Sequence, residues 1–192
     1  MIALILIPIG VSARHIHLTA EHLEQLFGKG AELTVFKPLS QPGQYAANET
    51  VAIVGPKGRF DKVRILGPVR PSTQIEVSRT DAFALGIQPP VRESGNIADT
   101  PGLRVIGPKG EVELDKGVIV PARHIHFHTS DAERWDIQDK QLLRVKVTGE
   151  RPLVFEDVIA RVSDQFILDF HIDTDEGNAA GVKTGDQAEL LK

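Results

Sequence analysis

Valine and isoleucine alternate with polar residues through most of this chain. The runs VAIVGPKGRFDKVRILGP, TQIEVSRTDAFALGI and GLRVIGPKGEVELDKGVIVP follow one another from Glu49 onward, with Gly-Pro-Lys-Gly at 55–58 and again at 107–110. A period of two broken by Gly/Pro turns predicts hairpins at the spacing of a barrel or sandwich. LLRVKVTG, LVFEDVIARVS and QFILDFHI continue the strand pattern toward the C-terminus. Met1 to Gly10 is apolar, too short to span a bilayer and without a basic flank or cleavage pattern, and reads as a buried first strand. Helices are few. Leu18, Leu23 and Leu26 predict a short helix over Thr19 to Phe27, closed by Gly28, and Ser130-Asp131-Ala132-Glu133 matches a capping box opening a helix around Trp135. Residues 28–48 hold Gly28, Gly30, Pro38, Pro42 and Gly43 among short apolar runs, and read as an inserted flap.

On this background one string occurs twice: Ala13-Arg14-His15-Ile16-His17 and Ala122-Arg123-His124-Ile125-His126. On a strand the two histidines of each copy share a face and the isoleucine points away. The repetition extends further. Glu76 to Ile87 overlays His171 to Val182 without a gap, which sets Glu76 opposite His171. The longer spacer of the first copy is accounted for by the flap. The chain is therefore a tandem duplication in which each copy offers a His-x-His pair and a later third donor.

The duplicated pattern points to metal chemistry. His15, His17 and Glu76 form one candidate set and His124, His126 and His171 the other. Three-donor sets of imidazole and carboxylate suit zinc and leave room for substrate, and two such sites close together suggest a pair of ions acting on one anion. Cobalt, nickel or iron could use the same donors. His128 extends the second run, but Thr19 stands at its place in the first, so symmetry leaves it out; His22 falls on the predicted helix and reads as surface. Asp173, Asp175 and Glu176 either orient ligands or cap a helix. Arg14 and Arg123 point away from the histidines and read as structural, whereas Arg70, in GPVRPST, is a candidate for phosphate or carboxylate recognition.

Composition narrows this without changing it. The absence of cysteine removes disulfides, thiolate ligands and a cysteine nucleophile, and implies a reducing compartment. A net charge of -4 over 192 residues gives no nucleic-acid or membrane footprint, so an anion must be held locally. No dinucleotide fingerprint, Walker sequence or Gly-x-Ser-x-Gly elbow is present.

The segments VSARHIHLT, RPSTQIEVSRTDAF, PPVRESG, VIVPARHIHFH and HIDTDEGNAAG resemble the PduL-type phosphotransacylases, the phosphate propanoyltransferases, over nearly the whole chain. The resemblance implies a mainly β fold of two β-barrel domains with short capping helices and permuted connectivity. One barrel would comprise 1–13 and 122–192; the other would comprise 14–121, with 28–48 as a flap over the active site. It also implies interconversion of acyl-CoA (propanoyl-CoA or acetyl-CoA) and phosphate with acyl phosphate and coenzyme A, on a centre of two zinc ions held by the two sets. Arg70 then resembles the phosphate-binding arginine, Gln41 lies in the segment similar to the active-site cover, and Lys37 and Ser94 are candidates for coenzyme A contacts. The chain lacks the amphipathic extension of organelle-targeted members, so a cytoplasmic enzyme is expected, with a homodimer left open. A dizinc hydrolase and a non-catalytic metal-binding module remain the alternatives.

Overall fold

A computed structural model of the protein describes residues 4–191. Among the described residues the architecture is mainly β: a closed barrel, an open curled sheet and four short helices. The chain divides into two compact units. Of the described residues, the first contains 4–12, 40–42 and 122–191, and the second contains 13–39 and 43–121.

The first unit is a barrel of six strands: β1 (Ile5–Ser12), β14 (Asp169–Asp173), β11 (His124–Phe127), β13 (Leu153–Val162), β12 (Leu142–Val147) and β15 (Gln187–Leu191), in that order around the wall. β1 closes it, pairing parallel with β14 along its second half and antiparallel with β15 along its first. Of the segment read as a buried strand, residues 1–3 lie outside the described residues. The rest is only half buried: Ile5, Ile7 and Ile9 point inward, while Leu4 and Leu6 are exposed. A strand in a barrel wall covers one face only. β15 escaped the sequence reading because its five residues, QAELL, carry a weak alternation.

The second unit is a sheet in the order β7 (Val91–Arg92), β10 (Val118–Pro121), β6 (Gln74–Glu76), β2 (His15–His17), β5 (Arg59–Gly67), β4 (Tyr45–Val54), β8 (Arg104–Ile106), β9 (Glu111–Glu113), with β3 (Val35–Pro38) on β4. Here a second barrel was expected and the sheet stays open. The counterpart of β1 is β10, which leads into the second Ala-Arg-His-Ile-His as β1 leads into the first. β10 pairs parallel with β6 as β1 does with β14, but it has four residues where β1 has eight. The sheet ends at β7 on one side and β9 on the other, with no pairing between them to close a wall among the described residues.

Each unit has its own core. Ile125, Phe127, Val145, Val158 and Phe170 belong to the first; Ile16, Leu26, Ile53, Ile65 and Leu85 belong to the second. The isoleucines between the paired histidines, Ile16 and Ile125, are both fully buried, which fixes the histidine face of each strand opposite the core.

Two helices differ from expectation. TQIEVSRTDAFALGI, read as strand throughout, is strand only over β6 and continues as α2 (Arg79–Leu85). Its N-cap Ser78 and Asp81 form a full capping box, and Gly86 ends it in the left-handed region. The helix that Ser130 was expected to cap is α3 (Thr129–Arg134), whose N-cap is His128. The remaining two are α1 (Ala20–Phe27), capped by Thr19 as expected, and α4 (Thr174–Ala180), whose capping box is Asp173 with Glu176.

The Gly-Pro-Lys-Gly turns dock hairpin tips onto helix ends. Lys57 and Lys109 donate their backbone N–H to Leu85 and Leu26 carbonyl oxygens at the C-termini of α2 and α1. A Cβ on Gly107 would stand 2.4 Å from the Leu26 carbonyl oxygen. Gly107→Ala is therefore expected to lower the stability of the second unit by about 1–3 kcal/mol, seen as a lower urea midpoint for that transition; an unchanged midpoint would show the approach to be adaptable.

Candidate metal centres

The first set sits on adjacent antiparallel strands. β2 and β6 pair with His15 opposite Glu76 and His17 opposite Gln74. All three donors are buried, their ligand-type atoms lie within 4.8 Å of one another, and His15 Nε2 is 3.3 Å from Glu76 Oε2. Backbone carbonyls orient the rings: His15 Nδ1 is bonded to Ala13 and His17 Nδ1 to Leu66, so the Nε2 side of each ring is the side available to an ion. Gln74 completes the setting by donating to Glu76 Oε1 at 2.7 Å and to Ser94 Oγ at 2.8 Å, and by accepting from Gly95 N–H.

Burial and charge set the protonation states. Burial drives the His17 imidazole to a pKa of about 3, assisted by the neighbouring His15 and Arg70 charges. It stays neutral, as a ligand must. Burial works the same way on His15, but the adjacent Glu76 carboxylate outweighs it and raises that pKa above its usual value. Burial would raise Glu76, yet His15 and its hydrogen bonds hold it far below the carboxylate range. The neighbouring carboxylate thus favours a proton on His15. A divalent cation arriving at this set would compete with that proton, so its affinity should rise with pH through the raised His15 pKa and level off above it, with about one proton released per ion on the acid side. Calorimetry in buffers of different ionisation enthalpy reads that count; a pH-independent affinity would contradict it.

The second set occupies the equivalent place in the barrel. β11 and β14 pair with His124 opposite His171 and His126 opposite Asp169. The three rings lie 4.7 to 5.1 Å apart, centroid to centroid. His124 Nδ1 is bonded to the Ala122 carbonyl, repeating His15 and Ala13. The His124 and His171 rings are stacked parallel, and the His126 ring stands edge-on to both. His126 Nδ1 and His171 Nε2 are buried with no hydrogen-bond partner among the described residues. Two buried imidazole nitrogens without such partners are the donors a cation would use. Burial, with His124 and His171 nearby, lowers His126 to a pKa of about 2.

Arg70 lies in the loop between β5 and β6, its backbone N–H donating to Leu18. Its guanidinium reaches Ser94 Oγ at 3.3 Å and Gln44 Oε1 at 3.5 Å, and its charge bears on both His15 and His17. Ser94 is thereby joined to the first set through Gln74. Gln41 belongs to the first unit, where its amide donates to the Ile167 carbonyl and accepts from the Ile167 N–H. That pairing uses both ends of the side chain in holding residues 40–42. Lys37 is exposed on β3. His128 is occupied as the cap of α3, accepting from Ser130 N–H, and His22 contacts Thr73 Oγ1.

Sequence reasoning missed Gln74 and Asp169. Each stands two residues before the third donor on the same strand face, so strand periodicity could have found them; their side chains differ, and no repeated letter drew attention to them.

Comparison with known proteins places this geometry in context. The profile described as phosphate propanoyltransferase matches residues 8–183. A phosphate propanoyltransferase of Thermotoga maritima is 58% identical over 97% of this chain and 89% of its own length. Proteins of that name from Lachnoclostridium phytofermentans and Listeria monocytogenes are 53% and 48% identical, over 96% and 97% of this chain and 87% of each relative.

Proposed function

Because the chain belongs to the phosphate propanoyltransferase family, we propose that it interconverts acyl-CoA and inorganic phosphate with acyl phosphate and coenzyme A. Propanoyl-CoA is the expected substrate, with acetyl-CoA as the shorter alternative, and two zinc ions are expected, one in each donor set. The observation that supports this most is the buried convergence of His15, His17 and Glu76 beside the Arg70 guanidinium. Among the described residues no helix is long and apolar enough to cross a membrane.

The reaction joins a phosphate oxygen to the thioester carbonyl carbon and breaks the carbon–sulfur bond, releasing the thiolate of coenzyme A. No covalent enzyme intermediate is required. Zinc, when bound by these residues, would supply Lewis acidity that offsets the charge on phosphate and on the leaving thiolate. Arg70 offers a planar fork to the phosphate dianion, and Ser94 and Gln44 limit its swing. Gln74 holds Glu76 and Ser94 in a fixed relation, so the metal set and the anion site move as one piece. Burial keeps His17 from being protonated by solvent near neutral pH.

The reverse direction gives a direct test. Propanoyl phosphate and coenzyme A should yield propanoyl-CoA, followed by thioester absorbance. In the forward direction Arg70→Ala should raise the phosphate KM about 10- to 100-fold, the loss of one charge-assisted contact, while metal content stays at the wild-type level. Loss of metal from that variant would make Arg70 a structural part of the first set and not its anion binder.

A further inference from the structure

The two donor sets differ in one respect that the duplication brings out. In the first, the third donor is a carboxylate, Glu76, and its strand neighbour two residues back is a neutral amide, Gln74. In the second, the third donor is an imidazole, His171, and the residue two back is a carboxylate, Asp169. These positions are equivalent in register, Gln74 facing His17 and Asp169 facing His126. Each set therefore contains one negative charge, contributed from opposite ends of the same strand step.

The surroundings of Asp169 fit that role. It is 5% exposed, with Ser40 and His171 against its carboxylate. Ser40 Oγ donates to its Oδ2 at 2.5 Å. Gly10 lies against it, and a Cβ there would come within 3.2 Å of the same oxygen, so the glycine preserves its space. His171 Nε2 is 3.2 Å from Asp169 Oδ2, but off the line a hydrogen bond needs, and the nitrogen remains unpartnered. The corresponding pair in the first set, His15 Nε2 and Glu76 Oε2, is at 3.3 Å. Two ligands of one tetrahedral zinc, at bonds of about 2.0–2.1 Å, stand about 3.3 Å apart. Both pairs have the spacing of donors that share a cation.

We propose that Asp169 belongs to the second metal site and supplies there the negative charge that Glu76 supplies in the first. This rests on the reading of two donor sets given above. A buried divalent ion surrounded only by neutral imidazoles would be poorly compensated, and Asp169 corrects that.

Cobalt titration of the apo-protein, read by visible absorption and by competition with a chromophoric chelator, tests it without reference to activity. Wild type should bind two ions. Asp169→Asn should bind the first with unchanged affinity and the second about 10- to 100-fold more weakly, the scale on which partners around a metal act. The double variant Asp169→Gln with His171→Glu copies the first set into the second and should recover most of that loss. It also serves if Asp169→Asn folds poorly, because the pattern it installs is one the fold already accommodates. Two tight ions in Asp169→Asn, or no recovery in a folded double variant, would overturn the proposal while leaving the two-metal reading intact. A single ion in wild type would overturn both.

Discussion

His17→Ala is expected to lose the ion of the first set, retain that of the second, and lower phosphate-dependent release of coenzyme A about a thousandfold. His17 is 2% exposed, held neutral, and fixed in orientation by the Leu66 carbonyl. Its neighbour Ile16 carries the core packing, so removing the imidazole leaves the strand's apolar face untouched. On the proposed two-metal reading, what disappears is one of three ligands, and with it Lewis acidity of the order of 4 kcal/mol in the transition state, about a thousandfold in rate. Metal analysis with steady-state kinetics reads both effects. Retention of two ions and wild-type turnover would remove His17 from the site.

Arg14→Ala is expected to cost about 2–4 kcal/mol of stability in the second unit, the range for stranding a buried carboxylate reduced for a cation in partial contact with water. Arg14 binds Asp81 Oδ1 through both Nε and Nη2, at 2.9 and 2.6 Å, and its guanidinium lies 4.1 Å over the Phe60 ring. Asp81 is the N3 residue of the α2 capping box and is almost fully buried, whereas the Arg14 side chain is 38% exposed. The first unit repeats the arrangement: Arg123 bonds Glu176, the N3 residue of the α4 capping box, and lies over Phe155. There the ion pair is longer, at 3.2 Å, and the carboxylate more exposed. Arg123→Ala should therefore cost less, about 1 kcal/mol. Urea unfolding followed separately for each unit measures both. A loss for Arg14→Ala no larger than that for Arg123→Ala would show that the buried Asp81 does not depend on its partner.

These paired features explain why some of the site is legible in the sequence and some is not. His-x-His is written twice in identical letters, and strand geometry converts those letters into shared faces. The third donors emerged from a gapless overlay even though one is a glutamate and the other a histidine. The arginines before each pair read correctly as structural, but their acidic partners lie far along the chain. Gln74 and Asp169 share a register position without sharing chemistry. α2 was hidden because Ile75, Val77 and Phe83 give its segment a strand-like composition, while Ser78 and Asp81, the capping signal, are ordinary residues of an exposed loop as well. The second sheet ends in the short strands β7 and β9, of two and three residues, and apolar content alone does not show whether such strands pair to close a barrel. In the last strand of the first unit, tertiary pairing with β1 and β12 stabilises what QAELL hardly specifies alone.

The most direct test of the account is release of coenzyme A from propanoyl-CoA by protein of measured zinc content, with and without phosphate. The account predicts phosphate-dependent release with propanoyl phosphate formed in equal amount, abolished by chelation and restored by zinc. Release that proceeds equally well without phosphate would make water the nucleophile and the protein a hydrolase, and no release from protein carrying two zinc ions would make it a binding module.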